Sequence, residues 1–195
     1  MAYKVIVIGT SAGGIDASKR LLEGLHNPNR LPIIILQHMN PRAESYLAKL
    51  FEMSLDIPSY EVEDKMLLQS GCLYTPAPNY HVLLESDYTF SLSTEERVCY
   101  ARPSVDVLFE SVADVFKDQV IGVLLTGANH DGASGLRYIQ EKGGYTMVQD
   151  PKDCYARRMP ESALELIIPD FIGTIETMKR NLELILEEDR QNKYG

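Results

Sequence analysis

Short runs of aliphatic residues recur along the chain. Each closes on glycine or polar positions and most lead into apolar residues at helical spacing. Val5-Ile6-Val7-Ile8 is the first run and reads as a strand buried on both faces. After the turn Gly9-Thr10-Ser11-Ala12-Gly13-Gly14, apolar positions at Ile15, Leu22 and Leu25 predict a helix from Gly14 to Leu25, with Asp16 and Arg20 placed as an i,i+4 pair. Asn27-Pro28-Asn29 is a turn. Leu31 to Leu36 is a second buried strand, ending in Gln37-His38, and Asn40-Pro41 reads as the cap and first position of a helix near 41–52.

The middle of the chain changes rhythm. Ser59 to Asp64 is acidic, Gly71 to Asn79 holds two prolines, and Tyr80 to Leu92 alternates as strand, turn and strand, predicting an antiparallel excursion at one side of a larger sheet. Pro103-Ser104 then opens a helix whose inward stripe is Val105, Leu108, Val112 and Val115. Val120 to Leu125 is a buried strand that runs into Thr126-Gly127-Ala128-Asn129-His130-Asp131-Gly132. A helix with Leu136 and Ile139 inward stops at Gly143-Gly144, and Tyr145 to Val148 is another strand. A short helix starts at Pro160. A last amphipathic helix carries Ile175, Met178, Leu182 and Ile185, and the polar 191–195 end is expected to fray. The pattern predicts one domain over 1–195. Its class is α/β, a mostly parallel doubly wound sheet with helices on both faces and a small antiparallel β addition.

Composition narrows the function classes. The 195 residues are 45% hydrophobic and 24% charged, as in ordinary globular domains. With 19 basic against 28 acidic residues the net charge is −9, which argues against nucleic acid as the main partner. Cys72, Cys99 and Cys154 are scattered, which suits a reducing compartment and gives no metal signature. No apolar run reaches the length of a signal-peptide core or a membrane span, so the expected location is the cytoplasm, with no direct membrane insertion.

Three strand ends carry candidate chemistry. Gly9-x-Ser11-x-Gly13 frames a hydroxyl in a tight turn between a strand and a helix, which suits a nucleophile. Taken alone it also fits a turn residue or a helix cap. A dinucleotide loop would want glycine at Ser11 and an acid at the end of the next strand, where Gln37-His38 stands. If the strands are parallel neighbours, Ser11, His38 and Asp131 share one rim and can act as nucleophile, base and orienting acid. His130 is a rival base, but its place beside Asp131 keeps it from facing both that residue and Ser11.

The motifs Gly9-Thr10-Ser11-Ala12-Gly13-Gly14, Leu36-Gln37-His38-Met39 and Leu125-Thr126-Gly127-Ala128-Asn129-His130-Asp131-Gly132-Ala133-Ser134-Gly135 resemble the catalytic domain of the chemotaxis protein-glutamate methylesterases, the CheB type. Further likenesses are Tyr74 to His81, Arg102 to Phe109, Gly143-Gly144, Gln149-Asp150 and Met159-Pro160, in the family's order along nearly the whole chain. The resemblance implies a serine hydrolase with Ser11 as nucleophile, His38 as base and Asp131 as its orienter. The substrates implied are γ-glutamyl methyl esters on the cytoplasmic helices of chemoreceptors, with glutamine deamidation by the same chemistry and no metal or cofactor. The Ala12 N–H is the best local oxyanion donor, and Ala128 offers a second. Three positions depart from the family pattern. Ala128 and Asn129 stand where it has methionine and glycine, and Arg158 where it has glycine, a charge that either alters substrate access or points to solvent. The family's receiver domain is not seen ahead of the first strand, so control is expected from expression, a separate regulatory protein or receptor state. A catalytically weak receptor-binding domain and an α/β-hydrolase for small esters are the rival readings.

Overall fold

The computed structural model describes residues 3–27, 30–39 and 46–194. Along the chain run β1 (Val5–Thr10), α1 (Gly14–Leu22), β2 (Ile33–Gln37), α2 (Leu47–Leu55), β3 (Ser59–Glu61), β4 (Leu73–Thr75), β5 (His81–Leu84), β6 (Phe90–Ser93), α3 (Val105–Phe116), β7 (Val120–Leu124), α4 (Ala133–Glu141), β8 (Tyr145–Gln149), α5 (Arg158–Leu166), β9 (Phe171–Gly173) and α6 (Ile175–Tyr194). Seven strands form one parallel sheet in the order β3-β4-β2-β1-β7-β8-β9. β5 and β6 form a separate antiparallel hairpin.

Side-chain alternation divides the core in two. Val5 and Val7 of β1, with Ile34 and Leu36 of β2, meet Leu108, Val112, Leu136, Ile139 and Ala163 from α3, α4 and α5. Ile6, Ile8, Ile33 and Ile35 point the other way, onto Ala17, Leu21, Phe51, Met178 and Leu182 from α1, α2 and α6. The hairpin closes the first core: Tyr74 packs on Phe90 at 5.0 Å between ring centroids, and Leu84 N–H donates to Ser111 Oγ at 3.1 Å.

Several expectations shift. The acidic and proline-bearing stretches at 59–64 and 71–79 contain β3 and β4, which extend the parallel sheet, and β9 adds a third short strand at the opposite edge. Helix α1 ends at Leu22, and Ile15 is exposed; Ala17, Ser18, Leu21 and Leu22 form its buried face. Arg20 reaches Asp16 at 3.8 Å and also pairs with Glu176 on α6. Val115 and Ile185 are only partly buried, with Phe109 and Leu186 filling those cores instead. The expected start of the second helix at Pro41 lies outside the described residues; α2 runs from Leu47 to Leu55, with Tyr46 as its non-helical N-cap.

From β1 the chain crosses to β2 on one side, and later returns through β7 and β8 on the other. The crevice at the C-terminal ends of β1 and β7 is therefore the switch point where open α/β sheets bind ligands. Above it α3 and α4 pack closely, because Gly135 has no side chain. A Cβ there would lie 2.7 Å from Phe109 Cβ and 2.9 Å from the Asp106 Cα. Gly135→Ala is expected to force the helices apart and cost about 1–3 kcal/mol in urea unfolding, since backbone cannot yield as a flexible side chain can; an unchanged unfolding midpoint would contradict this packing.

Candidate active site

Ser11 follows β1 directly. Its backbone is fastened on both sides: its N–H donates to Thr126 O (3.0 Å), and its carbonyl accepts from Gln37 Nε2 (2.9 Å) and Gly14 N–H (2.9 Å). Gly13 then takes the left-handed conformation, with φ of 78°, that turns the chain into α1. The Ser11 hydroxyl and the N–H groups of Ala12 and Gly13 make no hydrogen bond to a described residue. They sit at the N-terminal end of α1, where the helix dipole favours negative charge.

His38 follows β2, the neighbour of β1, and its N–H donates to Thr10 O at 3.1 Å. Gln37 donates both to Ser11 O and to His38 O (3.0 Å), so one buried amide ties the two strand ends together. Asp131 follows β7, on the other side of β1, and has no solvent exposure. Its Oδ2 lies 2.6 Å from His38 Nε2 and accepts from Val105 N–H (2.7 Å). Its Oδ1 accepts from Ser104 Oγ (2.7 Å) and Asp106 N–H (3.0 Å). Burial alone would raise this carboxyl, but the bonds from His38, Asp106 and Val105 outweigh it and hold the group below its usual value. The other imidazole nitrogen, Nδ1, faces Asn129 Nδ2 at 3.2 Å. His130 is exposed, as is Ala128, whose N–H makes no hydrogen bond to a described residue.

A second acid mirrors the first. Asp106 Oδ1 accepts from Gly132 N–H (2.8 Å) and Gly135 N–H (2.7 Å), so Asp131 caps α3 while Asp106 caps α4. Cys99, Asp106 and Asp131 form the one grouping of potential metal ligands among the described residues. Three of its four carboxylate oxygens are spent on these N–H donors, which makes it a pair of helix caps. The Cys99 thiol is pushed up to about 11 by burial and the nearby Asp106, so it is no rival nucleophile near neutral pH.

The sequence pattern of the CheB methylesterase family matches residues 6–182. The chain belongs to that family. A Leptospira interrogans relative, provisionally named a protein-glutamate methylesterase/protein-glutamine glutaminase, is 44% identical over 98% of both chains. A Trichodesmium erythraeum protein-glutamate methylesterase/protein-glutamine glutaminase is 36% identical over 82% of this chain and 46% of its own length. The Thermotoga maritima CheB methylesterase catalytic domain superposes with a TM-score of 0.88, at 26% identity, over 95% of this chain and all of that one.

Of the positions that depart from the family pattern, Arg158 points to solvent, where it meets Glu165 at 3.5 Å. Asn129 is turned inward onto His38. Ser104, which opens α3 as its sequence position predicts, also donates its hydroxyl to Asp131. The roles of Gln37, as a tie between strand ends, and of Thr126 are not marked by the sequence motifs. The Thr126 hydroxyl accepts from Ala156 N–H (2.8 Å) and lies 2.9 Å from Ala12 O, and its own N–H donates to Gln149 Oε1 (2.9 Å). A polar residue at the last position of a buried strand is the signal that could have found Gln37 and Gln149.

Asp106 generates a stability prediction. Burial raises it to about 6, with the neighbouring Asp131 adding to the shift against the opposing Gly135 and Gly132 N–H groups. The folded state therefore binds this proton more tightly than the unfolded chain. Its contribution is complete below the ordinary carboxylate range and is lost as pH rises to about 6. Asp106→Asn keeps an oxygen for both N–H groups and removes the titration. Urea unfolding from pH 4 to pH 7 should show the wild type losing on the order of 2 kcal/mol relative to the variant across that window. Parallel stability curves would contradict the assignment.

Proposed function

We propose that this chain hydrolyses γ-glutamyl methyl esters on the cytoplasmic helices of chemoreceptors, and deamidates glutamine there, through an acyl-enzyme on Ser11. Family membership and the names of its relatives support the reaction. The observation that carries the residue roles is the buried Asp131 carboxylate at 2.6 Å from His38 Nε2, with Ser11 on the adjoining strand end. No helix among the described residues is long and apolar enough to cross a membrane, in keeping with an enzyme that meets its substrate in the cytoplasm.

Asp131 accepts a hydrogen bond from the Nε2–H of His38, which keeps the proton on Nε2 and leaves Nδ1 as the basic nitrogen. Ser11 Oγ attacks the ester carbonyl while its proton passes to Nδ1. The negative charge that develops on the carbonyl oxygen falls to the unspent N–H groups of Ala12 and Ala128, the first of them at the start of α1. Collapse of the intermediate expels methoxide, which takes the proton from His38 and leaves as methanol; with a glutamine side chain the leaving group is ammonia. Water, deprotonated by His38, then attacks the acyl-enzyme and returns Ser11 with a glutamate product.

Methanol release from methylated receptor membranes tests this reading. Ser11→Ala is expected to fold normally and lose on the order of 10⁴-fold or more in rate. Folded Ser11→Ala with activity within tenfold of wild type would overturn it, as would activity on small soluble esters with none on receptor. His38→Ala is expected to lose as much, and the double variant no more, because the two act as a unit. A double variant much slower than either single one, or His130→Ala as damaging as His38→Ala, would move the base elsewhere.

A further inference from the structure

We infer that Asn129 is a positioning residue that latches His38 in the resting enzyme: its side-chain amide occupies the imidazole nitrogen that the Ser11 proton needs, and has to withdraw before that proton can move. The inference rests on the roles proposed above for Ser11 and His38.

Two contacts fix the amide. Asn129 Oδ1 accepts from Asp131 N–H at 3.3 Å, which an NH₂ group in its place could not do, so the NH₂ end is the one facing His38 Nδ1 at 3.2 Å. An NH₂ group can only donate here, so Nδ1 presents its lone pair and the proton sits on Nε2. Asp131 Oδ2, 2.6 Å from Nε2, demands the same tautomer. Asn129 is therefore redundant for setting the tautomer, and what it adds is occupation of the base. Nδ1 has a single in-plane lone pair. While Asn129 holds it, the Ser11 hydroxyl has no partner among the described residues, as observed. When the Ser11 O–H bond breaks and an Nδ1–H bond forms, the latched amide would leave two donors head to head. The latch is built to open: Asn129 is only partly buried, and it lines a pocket of about 200 Å³ with His38, Met39, Arg97, Tyr100 and Arg102.

The test is the rate at which a small fluorophosphonate labels Ser11. In that reaction Oγ bonds to phosphorus, fluoride leaves and the hydroxyl proton passes to Nδ1, with no receptor present to rearrange the loop. Asn129→Ala is expected to label roughly threefold to tenfold faster than wild type, the equivalent of one ordinary hydrogen bond. Asn129→Asp has the same shape but sets an acceptor against Nδ1, which favours a proton there and removes the lone pair; it is expected to label at least tenfold slower. A merely structural role would move both variants in the same direction. Asn129→Ser, which keeps an oxygen for the Asp131 N–H but is too short to reach Nδ1, stands in if the alanine variant does not fold. Nitrogen NMR of the His38 ring gives a readout independent of activity: the Nδ1 resonance should move toward that of a free acceptor in Asn129→Ala. Labelling of Asn129→Ala at or below the wild-type rate, or an unmoved Nδ1 resonance, overturns the latch and leaves the roles of Ser11 and His38 standing. Labelling of Ser11→Ala as fast as wild type brings down those roles, and the latch with them.

Discussion

A carboxylate with no access to water has to find every partner inside the protein, and Asp131 finds four: a serine hydroxyl, two peptide N–H groups and an imidazole. Left unpaired, the same charge would cost several kcal/mol. Its position therefore dictates much around it. The start of α3 has to meet the loop after β7, Ser104 has to end its extended segment beneath that loop, and the His38 ring has to present Nε2 inward. Asp106 returns the arrangement by serving the start of α4. The switch point between β1 and β7 is thus held by two helix N-termini bound to each other's acids, and the His38 ring is oriented by the residue that anchors them.

The long elements were legible in the sequence because hydrophobic burial set them. β1, β2 and β7 are nearly unbroken aliphatic runs, since both faces of a central parallel strand are covered. The rim followed from the same logic: once those strands are neighbours, Ser11, His38 and Asp131 have nowhere else to be. What escaped was β3, β4 and β9, each three residues long. Strands that short carry no periodicity of their own and depend on neighbouring ladders already in place. Ile15 misled for a related reason. A nine-residue helix has little more than two turns, and one exposed apolar residue is enough to rotate the inferred face.

At the site, the sequence supplied residue types and left their contacts open. No spacing rule says which imidazole nitrogen meets the acid, and here it is Nε2, which leaves Nδ1 facing away from the acid. No rule says that Gln37 joins two strand ends or that Asn129 lies over the ring. Those facts depend on side-chain rotamers set by contacts far apart in the chain. Arg158 shows the limit from the other side: a charge beside a family motif turns out to meet Glu165 in solvent, where such a pair adds little to stability.

The loop between β8 and α5 also crosses the rim. Gly127 N–H donates to Ala156 O at 2.9 Å, Met159 N–H donates to Gly127 O at 3.0 Å, and Ala156 N–H donates to the Thr126 hydroxyl. The segment after β7 is thereby stitched to a stretch about thirty positions later as firmly as strand is joined to strand. Rims of α/β enzymes commonly open by local fluctuation at little cost. This stitch shares its hydrogen bonds with the central sheet, so the bonded amides of Gly127, Ala156 and Met159 should exchange with solvent far more slowly than the unbonded N–H groups of Ala12, Gly13 and Ala128. Shape change at this rim is then left to side chains, while the backbone beneath them stays where the sheet has set it.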